Sequence, residues 1–232
     1  MSSQQIIALG GGGFSMESSP VLDDYILRQG GNNPRICFLG TASGDSESYI
    51  TRFYQRFAQR ECQPCHLELF RRDGRDIEAF LCSQDVIYVG GGNTVNMLAI
   101  WQLHGVDQAL KKALNSGTVL CGLSAGSICW FEAGVTDSFG GDLQPYPCLG
   151  FLSGSHCPHY DGEENRRPAY QGLIKHGRLS PGIAADDGVG LHYLNGELIR
   201  VVSSRRGASA YRVEMKEGRL VEHCVVGELL IE

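Results

Sequence analysis

The chain has 232 residues, of which 42% are hydrophobic and 20% are charged. This length and balance predict one folded domain, residues 1–232, and exclude a wholly disordered chain. The 20 basic and 26 acidic residues give a net charge of -6 without a dense Lys/Arg run, which argues against nucleic acid as a partner.

Compartment and cofactors are constrained by what the sequence lacks. No stretch approaches the ~18 uncharged apolar residues of a membrane span, and residues 1–5 lack the basic and apolar parts of a signal peptide. We therefore expect a cytoplasmic protein with no membrane partner, in which the nine cysteines are reduced. Residues 62–66, Cys-Gln-Pro-Cys-His, have the spacing of haem attachment but lie between a helix and a buried strand. No haem, other cofactor or metal is expected.

Strand-like and helix-like patterns alternate over the first 132 residues. Apolar runs predict strands at 6–9, 36–39, 66–70, 85–89 and 118–121. Helical spacing predicts helices that begin near 20 and 46, and further helices at 95–102, 106–115 and 127–132. Because the strands are almost continuously apolar, the sequence predicts an α/β fold, with a doubly wound, mostly parallel sheet and flanking helices. Functional sites of such folds lie at the carboxyl ends of the strands.

The last third of the chain differs from the rest in composition and in its pattern of turns. Residues 138–182 are rich in Gly, Pro and Ser, which favours loops. Asn195-Gly196 predicts a hairpin turn between strands at 189–194 and 197–203, and Glu217-Gly218 joins strand-like runs at 208–213 and 220–226. The sequence therefore predicts an antiparallel C-terminal extension.

The segment Gly122-Leu123-Ser124-Ala125-Gly126 follows a strand and precedes a helical stretch. A G-x-S-x-G sequence in this place is typical of a nucleophile elbow, in which small neighbours permit a strained turn that exposes the serine oxygen. The next backbone N–H can then point at a developing oxyanion. The alternative is a glycine-rich turn without function, in a chain that holds 31 glycines.

A serine nucleophile needs a base, normally histidine, and a group that orients the base. Two of the seven histidines, His156 and His159, lie in a loop-prone segment downstream of the serine, where catalytic bases often occur. Pro158 restrains the chain that enters His159. This favours His159 as the base, while His156 remains open.

Two carboxylates follow the serine closely in sequence. Asp137 is flanked by small residues in a predicted loop and is the first choice as the orienting acid. Glu132 is the alternative, and either residue could instead be a solvated helix-end residue or part of an Asx turn. Asp186 and Asp187 precede a glycine and are interpreted as a turn, although a metal or a substrate amine could bind there.

The run of glycines at 10–13 follows the first predicted strand. It departs from the G-x-G-x-x-G nucleotide-binding pattern, because Ser15 stands where the third glycine is needed, and no Walker lysine follows. The expected role is a backbone turn beside the active site.

Four motifs occur in the order seen in the peptidase E family of serine peptidases. They are Gly90-Gly91-Gly92-Asn93-Thr94, Gly122-Leu123-Ser124-Ala125-Gly126-Ser127, Gly134-Val135-Thr136-Asp137-Ser138 and Cys157-Pro158-His159-Tyr160. The chain resembles this family over nearly its whole length. The resemblance implies a fold related to class I glutamine amidotransferases, but serine rather than cysteine at the elbow disfavours amidotransfer from glutamine.

The resemblance also implies a role for each residue of a Ser-His-acid triad. Ser124 would be the nucleophile, and His159 the general base and then the general acid. Asp137 would be the orienting carboxylate, with Glu132 open because relatives differ in this residue.

Substrate contacts follow from the same resemblance. Gly92 and Ala125 would supply the N–H groups of an oxyanion hole, and Asn93 and Arg166 would bind the substrate. Family members cleave short peptides after an N-terminal aspartate, whose carboxylate needs a cation when it is buried. Arg166 or Arg167 could provide that cation, although these arginines could equally pair with neighbouring glutamates on the surface.

The expected partner is therefore a small peptide substrate, and the sequence leaves open whether the protein is a homo-oligomer. One alternative is a cyanophycinase-like or esterase-type serine hydrolase on the same scaffold. Another is a catalytically silent protein that binds a ligand in the same pocket.

Overall fold

The computed structural model describes residues 3–231. Met1 and Ser2, part of the segment inspected for a targeting signal, lie outside the described residues, as does Glu232. The strands are β1 Gln5–Leu9, β2 Arg35–Leu39, β3 Gln63–Leu67, β4 Val86–Val89, β5 Val119–Leu123, β6 Phe131–Thr136, β7 Gln144–Pro147, β8 Leu152–Cys157, β9 Gly182–Ala185, β10 Val189–Leu194, β11 Glu197–Ser203, β12 Ser209–Lys216, β13 Arg219–Val226 and β14 Glu228–Leu229. The α-helices are α1 Val21–Gln29, α2 Glu47–Phe57, α3 Ile77–Cys82, α4 Thr94–His104, α5 Val106–Ser116, α6 Ala125–Ile128 and α7 Arg166–Lys175.

The strands form two sheets. The first has the order β14-β11-β10-β1-β5-β4-β2-β3, and β1 to β5 are parallel within it. The second has the order β13-β12-β9-β8-β6-β7, and its strands β6, β8 and β9 are parallel. The predicted α/β class, with mostly parallel strands and flanking helices, is confirmed.

Hydrophobic side chains cover both faces of the first sheet. Successive residues of β1 point to opposite faces, so Ile6 contributes to one buried cluster and Ile7 to another. The cluster that contains Ile6 also includes Ile183 and Ala210 of the second sheet. The two sheets therefore share one hydrophobic core, in which each fully buried aliphatic side chain contributes about 1.5–3 kcal/mol.

The C-terminal hairpins form where the sequence predicts them, but they join different sheets. β10 and β11 pair around the Asn195-Gly196 turn, and β12 and β13 pair around the Glu217-Gly218 turn. The first pair extends the first sheet and the second pair extends the second sheet. The chain therefore crosses between the sheets three times after residue 182: between β9 and β10, between β11 and β12, and between β13 and β14.

The prediction of a helix at 127–132 is wrong. α6 ends at Ile128, and β6 begins at Phe131. The ring of Phe131 stacks on His156 with centroids 4.7 Å apart, and Trp130 is fully buried. Tertiary packing thus decides the conformation of this apolar run. Likewise, residues 138–182, expected to be rich in loops, contain β7, β8 and α7.

Candidate active site

Ser124 occupies a strained turn between β5 and α6. Its backbone angles are φ 55° and ψ -117°, a region that residues with a side chain rarely adopt. A methyl group added at Gly126 would lie 2.2 Å from the carbonyl oxygen of Val89, and one at Gly122 would lie 2.4 Å from the carbonyl oxygen of Gly126. Only glycine permits this close approach of α6 to β4 and β5, which explains both glycines of the elbow.

Two backbone N–H groups near Ser124 have no acceptor among the described residues. One belongs to Ala125, the first residue of α6, where intrahelical partners are lacking. The other belongs to Gly92, whose φ of 137° requires glycine and whose added methyl group would lie 2.2 Å from the carbonyl oxygen of Ala42. The neighbouring Gly91 is close to the serine, since a methyl group there would lie 3.2 Å from Cβ of Ser124. The two N–H groups are therefore available for an oxyanion.

The side chain of Asn93 forms two hydrogen bonds within the protein. Its Oδ1 accepts a hydrogen bond from the backbone N–H of Asn96 at 2.8 Å, as an N-cap of α4. Its Nδ2 donates to the carbonyl oxygen of Ser138 at 2.9 Å. Asn93 thus ties the start of α4 to the loop after β6, directly beside Gly92, and its role in binding substrate stays a prediction.

The fold brings His159 to the edge of the first sheet where Ser124 lies. Leu9 and Leu123 are register partners in the adjacent strands β1 and β5, so the residues that follow them, Gly10 and Ser124, both lie at the carboxyl ends of neighbouring strands. The backbone N–H of His159 donates to the carbonyl oxygen of Gly10 at 2.9 Å. No hydrogen bond joins the Ser124 hydroxyl to the His159 ring within residues 3–231. Such catalytic contacts often tighten only with substrate bound.

The ring of His159 is oriented by Asp187. Its Nδ1 lies 2.6 Å from Oδ1 of Asp187, and the two side chains are 11% and 25% exposed. A carboxylate at Nδ1 keeps the proton on that nitrogen and leaves Nε2 free to accept one. Glycines surround the carboxylate, because added methyl groups at Gly11 and Gly162 would each lie 2.0 Å from one of its oxygens.

No hydrogen bond or ion pair joins Asp137 or Glu132 to His159 in residues 3–231, whereas Asp187 pairs with the ring, so the geometry favours Asp187 as the orienting acid. Asp137 is exposed and its carbonyl oxygen accepts from the N–H of Gly140 at 2.9 Å. A carboxylate oxygen of Glu132 accepts from the N–H of Gly154 at 2.7 Å.

The contact between Asp187 and His159 has a topological reason. His159 follows β8, and β8 pairs in parallel with β9, so the turn after β9 reaches the ring. Asp187 lies in that turn. The sequence carries one signal, two acidic residues and a glycine before β10, but the sequence alone does not show that β9 brings this turn to His159.

The glycine run at 10–13 lies beside the site, as expected of a backbone turn. Gly10 accepts from His159, and the carbonyl oxygen of Gly11 accepts from the N–H of Gly188 at 3.1 Å. The run therefore joins the turn that carries Asp187 to the end of β1.

Arg166 is buried and already paired. Its Nε donates to Glu163 at 2.7 Å and its Nη1 to the carbonyl oxygen of Val135 at 2.9 Å. The neighbouring Arg167 lies over the rings of Tyr160 and Tyr211. Neither arginine presents an unpartnered guanidinium, so substrate binding by Arg166 stays a prediction.

His156, the other candidate base, is enclosed. It is fully buried, its Nδ1 lies 2.9 Å from the carbonyl oxygen of Ile183, and its Nε2 lies 3.2 Å from Oγ of Ser127. Burial lowers the pKa of His156 to about 4. A neutral ring with both nitrogens engaged suits a structural role, and the geometry favours His159 as the base.

Within residues 3–231, no group of three or more His, Cys, Asp or Glu side chains is placed to hold a metal ion. No helix in this part of the chain is long and apolar enough to cross a membrane.

Comparison with known proteins identifies the family of the chain. Residues 6–201 match the sequence pattern of peptidase family S51. Peptidase YgaJ of Bacillus subtilis (strain 168) is 56% identical over 221 residues, which cover 94% of this chain and 96% of that protein.

Two solved structures share the fold. A peptidase from an acI-B1 actinobacterium has a TM-score of 0.73 at 17% identity, covering 96% of this chain and 94% of that one. A protein described as peptidase E from Listeria monocytogenes EGD-e has a TM-score of 0.62 at 16% identity, covering 88% and 99%. The fold and the elbow, together with these matches, define a peptidase of the α/β class. The chain belongs to peptidase family S51.

Proposed function

We propose that this chain is a serine peptidase that hydrolyses short peptides with Ser124 as nucleophile, His159 as general base and Asp187 as orienting carboxylate. The observation that carries the proposal is the 2.6 Å contact between His159 and Asp187, at the sheet edge where Ser124 holds a strained turn. A paired imidazole beside such a turn is the arrangement that activates a serine hydroxyl.

The reaction has two stages. Ser124 Oγ attacks the carbonyl carbon of the scissile amide and transfers its proton to Nε2 of His159, while the N–H groups of Gly92 and Ala125 bind the oxyanion. The imidazolium then protonates the leaving amine, the C–N bond breaks, and an ester remains on Ser124. Water loses a proton to Nε2 and attacks the carbonyl carbon of the ester; the C–O bond to Ser124 then breaks, the carboxylic acid leaves, and the serine oxygen recovers the proton from His159. Asp187 stays ionised throughout and stabilises the imidazolium.

We further propose an N-terminal aspartate as the preferred residue on the acyl side, which the resemblance to peptidase E implies. The aspartate carboxylate needs a cation in the pocket, and Arg166 is the candidate. Its partner Glu163 is 47% exposed, so the glutamate can move into solvent and leave the guanidinium to the substrate.

Replacement of the nucleophile tests the function. Ser124→Ala should abolish hydrolysis of Asp-X dipeptides and labelling by a fluorophosphonate, with an unchanged circular dichroism spectrum. Ser153→Ala, an exposed serine, should retain both activities. Turnover that survives in Ser124→Ala contradicts the proposal. A panel of Asp-X dipeptides, β-aspartyl peptides and simple esters identifies the acyl group.

A further inference from the structure

The turn that carries Asp187 lies between the two sheets. It joins β9 of the second sheet to β10 of the first, and no strand pairing includes Asp187. A second crossing, residues 204–208, joins β11 to β12. The position of Asp187 relative to His159 therefore depends on contacts between turns.

The ion pair between Asp161 and Arg205 binds the backbone of Asp187 at both its N–H and its carbonyl oxygen. Oδ1 of Asp161 accepts from the N–H of Asp187 at 2.9 Å. Arg205 donates to the carbonyl oxygen of Asp187 from Nε at 3.2 Å and from Nη2 at 3.1 Å. Nη2 of Arg205 also pairs with Oδ2 of Asp161. The three residues form a closed ring around the main chain of Asp187.

We propose that Asp161 and Arg205 are positioning residues for the peptidase reaction. This Asp161–Arg205 clamp fixes the main chain of Asp187, so that its carboxylate meets Nδ1 of His159. The inference rests on the proposed function of Ser124, His159 and Asp187.

The clamp connects the elements that supply the catalytic groups. Asp161 stands two residues after His159 in the same loop, and Arg205 belongs to the second crossing between the sheets. The ion pair therefore connects the loop that carries His159 to the turn that carries Asp187. It also connects both of them to residues 204–208, the segment that contains Arg205.

Folding stability does not account for the clamp. The side chains of Asp161 and Arg205 are 36% and 49% exposed, and ion pairs at such positions contribute little to stability while ordering long side chains. Their hydrogen bonds converge on one peptide segment instead. A misplacement of about 1 Å at a catalytic group can cost about 100-fold in rate, so the benefit of the clamp is expected in catalysis.

Substitution of the arginine tests the inference. Arg205→Gln should lower the rate at which a fluorophosphonate labels Ser124, and kcat for an Asp-X dipeptide, by about 10- to 100-fold with a small change in KM. Arg205→Lys should fall between, because one ammonium group lacks the planar fork that spans both partners. Arg206→Gln is the matched control, since Arg206 is the exposed neighbour, and should stay within about twofold of wild type. Thermal unfolding of each variant establishes that it is folded.

A double-mutant cycle separates positioning from general loosening of the fold. If the clamp acts through Asp187, Arg205→Gln should lower labelling by no more than about twofold in an Asp187→Asn background. Losses that multiply in the double variant overturn the inference, as does a rate for Arg205→Gln equal to that of Arg206→Gln. If Arg205→Gln does not fold, Asp161→Asn replaces it in the same cycle, because it removes the ion pair but keeps an acceptor for the N–H of Asp187. Wild-type protein that shows no Ser124-dependent labelling overturns the proposed function, and the inference with it.

Discussion

Backbone strain is found at the residues proposed to react. Ser124 and His159 have φ of 55° and 54°, and each such conformation costs on the order of 1–3 kcal/mol. Close packing at Gly126 maintains the first, and the hydrogen bond to Gly10 maintains the second. The two strained conformations therefore lower the stability of the fold, and they place a hydroxyl and an imidazole at one sheet edge.

The identity of the orienting acid gives the sharpest prediction at the residue scale. Asp187→Asn should lower kcat/KM for an Asp-X dipeptide by about 10³–10⁴-fold, because an amide that donates to Nδ1 favours the wrong tautomer of His159. Asp137→Asn is the matched control and should stay within about twofold, since Asp137 is exposed and the carboxylate bonded to the ring is that of Asp187. Steady-state kinetics on the two purified variants measure the difference. A large loss in Asp137→Asn with a small one in Asp187→Asn would restore the original assignment.

At the scale of elements, local patterns predicted the parallel strands of the first sheet and the hairpin around Asn195-Gly196. They also predicted the strained turn at Ser124, because neighbouring residues alone determine such a turn. They did not predict β8 and β9, whose short strands mix small and polar residues with apolar ones. Asp187 was missed for that reason, since it reaches His159 only through the pairing of β8 with β9. Contacts that depend on non-local strand pairing leave no signature in a single sequence.

Asn93 joins the first turn of α4 to the loop beside the candidate active site. Asn93→Ala should remove the N-cap and lower the free energy of unfolding by about 1 kcal/mol. It should also lower kcat, because the same side chain ties α4 to Ser138 beside the N–H of Gly92. Asp76→Ala removes the N-cap of α3 and is the control. Urea unfolding and dipeptide hydrolysis measured together should show similar destabilisation in both variants but a loss of kcat only in Asn93→Ala. Equal kcat values would mean that α4 needs no tether for catalysis.

At the scale of the whole molecule, a buried polar group lies behind the glycine run at 10–13. Asp23 of α1 is completely buried. Its Oδ1 accepts from the N–H of Phe14 at 3.2 Å, and its Oδ2 lies 3.5 Å from Nε of Arg56. Burial raises the pKa of Asp23 from 3.8 to about 7, although Arg56 opposes the shift. The charged carboxylate is therefore disfavoured in the folded protein.

This shift makes global stability depend on pH in a defined direction. Because the folded pKa of Asp23 exceeds the unfolded value, its contribution to stability is complete below about pH 4 and is lost as pH rises toward 7. Between pH 5 and 8 the wild type should lose about 2–3 kcal/mol of unfolding free energy relative to Asp23→Asn, a variant that keeps an acceptor for Phe14. Asp142→Asn is the control, because Asp142 is exposed and is not among the charges that act on Asp23, and should follow the wild type. Urea unfolding at the two pH values measures the differences, in which the titration of all other groups cancels. A constant difference between wild type and Asp23→Asn would show that Asp23 is ionised at both pH values, and that Arg56 offsets the cost of burying its charge.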